Sequence, residues 1–571
     1  MNAVNMKRTI FLLVIFLLTR SSFAANSNGI YPDSSDNLKP VVRVSFASSN
    51  IRFIKDKPTQ VQHTDQWDAV AWKGEKVHIQ IMVSSDQDIS ELRIKPGSLK
   101  GPAGNIAVSA IEYGFLSDVI TDEFGTGCGH RKPVDYDSSW VADPIISVSH
   151  HILKKDKMQP VWLSIKVPAN TPAGNYQGTV TVYAGKAYPL KVNLKVLKHV
   201  LPPASEWKYD LDLWQHPAAI ARVHGAKLWS DEHFKLMKPY YTMLASAGQK
   251  NITASLINEP WNHQTYDDFP GLIRWIKKTD GSWDYDYTLF DKYVSFVMSC
   301  GISKRINCYT MIPWNLAFRY FDEASGKDLD LEAKPGSTEY NEHWGTMLKD
   351  FTAHLKAKGW FDITSISMDE RPMKDMQAVI ALLKSVDPDW KITMAGDYHP
   401  EIEPDIFDYS IASRWEFKPE ELARRKAEGK PSTWYTCCTE PYPNGFSFSP
   451  AAENAWLGWY SAAKGFTGYL RWAYNSWPVE PLSDTRFTAW PGGDTFQVYP
   501  GPVSSVRFEK LIEGVQDFEK IRILREQFTR TGNEAGLQKL NEILSPFELE
   551  ALKTTPAAGM IEKAKAGLNV L

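Results

Sequence analysis

The chain has 571 residues, room for two or three domains and a large core, with 23% charged residues and a formal net charge of −3. That near-balance excludes the basic footprint expected of a nucleic-acid or anionic-membrane binder. The unusual feature is aromatic content, 21 Trp and 24 Tyr, rings that either build a core or stack on the apolar faces of sugars with an N–H or O–H at the rim.

The first segment reads as a targeting signal. Lys7 and Arg8 precede the apolar run IFLLVIFLL at 10–18, followed by polar TRSS and small residues around Ala24. The run is too short to span a bilayer, so residues 1–25 are expected to be a cleaved signal peptide. The mature protein is then exported, periplasmic or secreted, without stable membrane insertion.

Residues 26–203 are expected to form a β-sandwich, preceded at 26–40 by a Ser-, Asn-, Asp- and Pro-rich leader. The runs VVRVSF, KVHIQIMV, ELRIKP, VWLSIKVP, YQGTVTVY and YPLKVNLKVL alternate with period two, are separated by turn residues, and leave no long helix. Pro202-Pro203 ends the pattern. One polar and aromatic stretch, GCGHRKPVDYDSSWVADPI at 127–145, interrupts it and is expected at the domain interface.

After Pro203 strand-like runs alternate with amphipathic segments. The runs are YDLDLW (209–214), NITASLIN (251–258), KRINCYTMI (304–312), ITSISMD (363–369), KITMAGDY (391–398), DYSIASRW (408–415), STWYTCC (432–438) and TGYLRWAY (467–474). Amphipathic stretches at 231–247, 340–358, 373–386 and 417–429 separate them. Eight such units are what a (β/α)8 TIM-like barrel requires, and 204–504 is assigned to it. A doubly wound sheet would carry a Gly-rich phosphate loop after its first strand, and none is present. Residues 505–571 read as a C-terminal helical segment packed on the outside of the barrel.

Five cysteines, Cys128, Cys300, Cys308, Cys437 and Cys438, show no zinc-like spacing, and neighbouring Cys437 and Cys438 are too close to bridge without strain. HxH and HExxH are absent. The expectation is no essential disulfide, no metal and no cofactor.

Catalytic side chains of a barrel come from the C-terminal ends of its strands. The stretch TSISMDERPMKD (364–375) places adjacent acids, Asp369 and Glu370, at the tip of the fourth strand. Three other Asp-Glu pairs have ordinary readings. Asp231-Glu232 follows Ser230 at a helix start, Asp322-Glu323 lies in a solvated loop, and Asp122-Glu123 precedes a Gly-rich turn. Other strand ends carry rings in WQHP (214–217), NEPW (258–261), IPWN (312–315) and WAYNSW (472–477), a pattern that favours a stacking cleft. His216, Asn258, Tyr309, Tyr398, Trp434, Tyr474 and Asn475 are the candidates for binding sugar hydroxyls or ring faces.

Adjacent acids cannot straddle a sugar ring as the two carboxylates of most glycosidases do. At a strand tip both face the ligand from one side, which suits a substrate that supplies its own nucleophile, as a 2-acetamido sugar does. The alternative is a two-carboxylate glycosidase, with Glu259 or Glu440 as the second acid. A non-catalytic glycan-binding protein explains the aromatics and the export signal but not the acid pair.

SISMDERP, GYLRWAYNSWP with GGDTFQVYPGP (492–502), and SVRFEKLIEGVQDFE (505–519) resemble glycoside hydrolase family 123 over the barrel and helical tail, and more loosely over the sandwich. The resemblance implies an exo-acting, retaining β-N-acetylgalactosaminidase. Its substrate would be an oligosaccharide or glycolipid glycan with terminal β-N-acetylgalactosamine. It also implies that Asp369 orients the acetamido group and stabilises an oxazolinium intermediate, and that Glu370 is the general acid, then the base. Two neighbouring acids cannot both ionise cheaply, so one pKa is expected to rise, with Glu370 holding its proton and Asp369 ionised.

Overall fold

Alternation sets the N-terminal architecture. In the strand Gly174–Ala184, Tyr176, Val180, Val182 and Ala184 are buried while Gln177, Thr179 and Tyr183 face water. The computed structural model describes residues 41–55, 62–122, 128 and 138–571; the expected signal peptide and leader lie outside them.

Two sheets face each other. One runs in the order Val42–Ala47, Lys76–Ser85, Met158–Lys166, Ile111–Asp122, Ser138–Ile146. The other runs Gln66–Lys73, Lys186–Val200, Gly174–Ala184, Ile89–Pro96, His151–Leu153, with a short hairpin at 99–106 on its edge. Ile81, Val83, Val161, Leu163, Val180 and Val192 fill the space between them. The outer face of the first sheet is also covered, because Met82, Leu116 and Trp162 pack on Ala451 and Val506.

Each of the eight runs read as barrel strands contains one: Asp210–Leu213, Asn251–Ser255, Arg305–Tyr309, Thr364–Met368, Lys391–Gly396, Asp408–Ala412, Ser432–Tyr435 and Gly468–Arg471. They pair in parallel, each with its sequence neighbour, and the first pairs with the eighth. Closure is incomplete only between the first and second strands, where the ladder shrinks to a single bridge between Leu211 and Gln249. Two side chains take over there. Gln249 accepts from Leu213 N–H at 2.9 Å and donates to the Asn251 carbonyl at 2.8 Å, and Gln215 accepts from Thr253 N–H at 2.9 Å.

The strands alternate polar-in and apolar-out. Asp210, Asn251, Arg305, Asn307, Thr393 and Asp408 sit inside the barrel, where Arg305 bridges Asp210 and Asp408. Leu211, Ile252, Ile306, Ile366, Ile411 and Trp434 point outward into the core shared with the helices. The expected helices form at Asp231–Ser246, Thr338–Lys358, Met373–Val386 and Pro419–Ala427. Ser230 caps the first by accepting from His233 N–H at 3.2 Å, with Asp231 and Glu232 in its first turn, as the sequence suggests. A four-stranded sheet (274–277, 283–286, 317–322 and 327–332), not anticipated, is built from the loops after the second and third strands. Asp322 closes one of its strands at a hairpin rather than lying in an open loop.

The C-terminal segment is helical, at Val506–Thr531, Glu534–Leu544 and Ala557–Leu568, but its first helix is not an outer layer. Residues 506–517 are all buried, because this helix is wedged between the sandwich and helix Ala451–Lys464. The two helices approach backbone to backbone: a Cβ on Gly458 would lie 2.0 Å from the Gly514 carbonyl oxygen. Facing the sandwich, the helix carries polar anchors. Lys520 pairs with Glu75 at 2.7 Å, Glu509 with Lys76 at 2.9 Å, and Arg507 with Asp143 at 2.9 Å.

The stretch 127–145 serves two places. Asp143 and its strand cement the interface, as expected, with Tyr499 OH donating to Asp143 at 2.6 Å. Cys128 instead reaches the barrel and is disulfide-bonded to Cys438, with Cα atoms 5.2 Å apart and 310 residues between them in sequence. This corrects the reading of no essential disulfide; partners so distant leave no local spacing to recognise. Residues 129–137 lie outside the described residues.

Candidate active site

The fourth strand explains how the acid pair is aimed. Ser367 faces inward, its hydroxyl 2.6 Å from that of Thr393, while Ile366 and Met368 point to the helix layer. Asp369 continues the inward phase. The strand ends at Met368, and Pro372 caps the following helix, so Glu370 lies in a turn and is not driven into the core by alternation. Both acids line one cavity of about 350 Å³ at the C-terminal ends of the strands.

Asp369 is half-buried and Glu370 exposed to the cavity. One Asp369 oxygen accepts from the backbone N–H of Glu370 at 2.9 Å and the other from Trp314 Nε1 at 3.3 Å. Glu370 accepts from the Tyr435 hydroxyl. Among the described residues neither acid forms an ion pair; the neighbouring Arg371 guanidinium lies over the Trp314 ring, 4.7 Å from its centroid. Burial, with the Glu370 charge beside it, pushes Asp369 up to about 6 against the hydrogen bonds that favour its carboxylate. One of the two acids was expected to be raised; Asp369 is, because its side chain sits deeper.

Rings surround the pair. Trp214 and Trp261 pack at 5.0 Å between centroids, and Trp472 meets Trp490 edge-on at 5.1 Å. The indole N–H groups of Trp214 and Trp261 are buried without a partner among the described residues. Arg414 and Glu440 add charge. Glu440 is held on both oxygens, by Ser413 Oγ at 2.7 Å and Cys437 N–H at 2.8 Å. The Cys128–Cys438 bridge forms part of the wall.

The seven predicted binding residues do not line this cavity. His216 is fully buried, stacked on Phe269 at 3.7 Å and bonded to Ser476 Oγ at 2.7 Å, and Asn475 makes two bonds to the His216 backbone. Together they tie the first strand end to the eighth. Tyr309 packs beneath the cavity against Trp214 at 4.7 Å. Trp434 points outward and donates to Ser461 Oγ at 2.9 Å, Tyr474 donates to the Tyr240 carbonyl at 3.0 Å, and Tyr398 donates to Glu421 at 2.6 Å. Asn258 is exposed on the loop after the second strand. Glu259 also misses the cavity: it is buried, its carboxylate taken by the backbone N–H groups of His263 and Phe269.

The ring-bearing strand ends read as a stacking cleft do reach the cavity, through Trp214, Trp261, Trp314 and Trp472, though none of these is among the predicted binding residues; Tyr435 and Arg414, which also line it, were not singled out. Strand phase carries a signal too: continuing the inward phase 210–212–214, 433–435, 408–410–412–414 and 468–470–472 beyond each strand leads to Trp214, Tyr435, Arg414 and Trp472. Trp261, Trp314 and Trp490 come from loops, which have no such phase.

Two side-chain clusters bring three metal-ligating groups together among the described residues. Cys128, Cys437 and Cys438 are one, but two of its sulfurs are spent in the disulfide. Glu259, His263 and Asp268 are the other, and they bond to one another and to backbone.

Comparison with known proteins agrees with the geometry. The family model "Glycoside hydrolase 123, catalytic domain" matches residues 214–524, and "Glycoside hydrolase 123 N-terminal domain" matches 46–184. Among solved structures, a family 123 glycoside hydrolase from Clostridium perfringens, described for glycolipid glycan hydrolysis, superposes with a TM-score of 0.83 at 26% identity, covering 92% of this chain and 98% of that one. A Bacteroides ovatus GH5 xyloglucanase (8% identity, 81% and 100% coverage) reaches only 0.27, too low to carry an argument. No curated protein matches the sequence. With the catalytic-domain match spanning more than half its length, this chain belongs to glycoside hydrolase family 123.

Proposed function

We propose that the protein is an exo-acting, retaining β-N-acetylgalactosaminidase that uses the 2-acetamido group of its substrate as nucleophile. The observation that carries this reading is the placement of Asp369 and Glu370 side by side on one wall of an aromatic cavity, with no cation paired to either among the described residues. Asp369, as a carboxylate, holds the acetamido N–H so that the carbonyl oxygen lies beneath C1, and balances the positive oxazolinium as it forms. Glu370 protonates the leaving oxygen and then deprotonates the water that opens the intermediate. The Tyr435 hydroxyl donates to the Glu370 carboxylate and fixes its position. The rings of Trp214, Trp261 and Trp472 offer stacking surfaces for the sugar's apolar faces. The related Clostridium perfringens enzyme, described as hydrolysing glycolipid glycans, supports a glycan or glycolipid substrate for this chain. Export to a periplasm or beyond, read from residues 1–25, belongs to the same proposal.

A panel of aryl β-glycosides tests it. The expected result is cleavage of the β-N-acetylgalactosaminide and none of the plain β-galactoside; efficient turnover of the galactoside would sink substrate assistance. Glu440 supports a second reading, because it lines the same cavity and could serve a two-carboxylate mechanism. A fluorosugar adduct on Glu440, seen by intact-protein mass, would establish that alternative.

A further inference from the structure

A second sizeable cleft lies at the opposite end of the barrel from the catalytic cavity. A cleft of about 670 Å³ opens beside Asp210, Ser432 and Thr467, where the first, seventh and eighth strands begin, and between helices Pro419–Ala427 and Val506–Thr531. That volume is in the range of small-molecule sites. Leu422, Phe466, Phe518 and Ile521 give it apolar walls.

Its charge is one-sided. The two acids on its lining are already engaged, Asp210 with Arg305 and Glu526 with Arg522 at 2.8 Å. Lys208, Lys426, Arg525 and Arg530 line it, and no carboxylate among the described residues pairs with any of them. Arg525 is the telling member. It is half-buried in the C-terminal third of a long helix, and burial depresses its pKa with nothing to offset the loss of water. A guanidinium withdrawn from water without an anion is costly, and an anionic ligand would remove that cost.

From these features we propose that this cleft binds a single-chain anionic amphiphile, its carboxylate or phosphate head at Arg525 and the surrounding lysines, and its alkyl body between Phe466, Phe518 and Ile521. Apolar walls without the cations would suit a neutral chain; cations without the walls would suit any small anion. Only the combination selects an amphiphile. The site is remote from Asp369 and Glu370 and does not depend on the reaction proposed for them.

Isothermal titration of the full chain with monomeric dodecanoate tests this, with dodecyl maltoside, inorganic phosphate and anionic phospholipid vesicles as parallel titrants. Dodecanoate is expected to bind with one-to-one stoichiometry, at least about tenfold more tightly than the neutral detergent or phosphate. Arg525→Gln should weaken it about tenfold, and exposed Lys426→Glu by a smaller factor, with hydrolysis of an aryl glycoside unchanged in both. Equal binding of dodecanoate and dodecyl maltoside, saturation by phosphate alone, binding only to vesicles, or the same affinity in both variants would each overturn the proposal.

Discussion

Acids at two sites in this molecule are treated in opposite ways. Where helix Val506–Thr531 meets the sandwich, each is given a cation. Glu75 and Asp517 share Lys520 at 2.7 and 2.8 Å, and Glu509 has Lys76 at 2.9 Å. Burial alone would raise Glu509, but Lys76 and its neighbours outweigh it and hold the carboxyl below its usual range. In the catalytic cavity Asp369 and Glu370 have each other and neutral donors, and Asp369 is raised to about 6. An interface needs fixed charge; a site that must trade protons and meet a developing cation needs acids left unneutralised.

The pH dependence of stability should separate the two regions. The Glu509 contribution is present above the unfolded value near 4.5 and is lost as pH falls through the lower folded value. Asp369 acts with the opposite sign: its contribution is present below 3.8 and is lost as pH rises through about 6. Asp369→Asn should therefore be at least as stable as the parent at neutral pH while losing activity.

The largest expected effect is at Glu370. Glu370→Gln should lower kcat on a natural glycan by up to about 10⁴-fold, and by much less on a nitrophenyl glycoside, whose leaving group needs little protonation. Equal losses on both would assign Glu370 another role. Next comes the interface. Lys520→Met leaves Glu75 buried without its cation and Asp517 with only Lys565 at 3.4 Å, and should cost about 3–5 kcal/mol in denaturant unfolding, with kcat of the folded fraction unchanged. A neutral result would mean the interface charges matter no more than the cavity ones. Asp369→Asn should reduce kcat by about 10²–10³-fold with little change in KM. It should also abolish the acid limb of the kcat/KM profile, which in the parent rises through about pH 6 as Asp369 ionises. Because the acids are coupled, that limb belongs to the pair, and its persistence in the variant would reassign it.

Two smaller effects sharpen the contrast. Cys438→Ser removes the bridge between the sandwich and the cavity wall and should lower stability by about 2–4 kcal/mol, read from the thermal transition without reductant. An unchanged transition would mean that the bridge does not constrain the chain. Tyr435→Phe removes the hydroxyl that fixes Glu370 and should slow turnover about tenfold, with no loss of stability beyond one hydrogen bond.

The local order of this protein was readable from its sequence. Period-two runs, helix caps and the 202–203 Pro pair carry their own physics, so eight barrel strands and the long helices could be placed before any contact was known. The acid pair at the tip of ITSISMD was legible for the same reason: strand phase is local. What the sequence left open was which phase of each strand faced the barrel interior. Alternation sends Trp434 and Tyr435 to opposite sides, and barrel closure decides that Tyr435 faces the cavity and Trp434 the helix layer. His216 and Asn475 stand at strand ends like the cavity residues, yet the seam between the first and eighth strands consumes their polar atoms. The Cys128–Cys438 bridge, the loop tryptophans and the burial of helix Val506–Thr531 join segments far apart in the chain. Their pairing is set by packing, for which no local pattern codes.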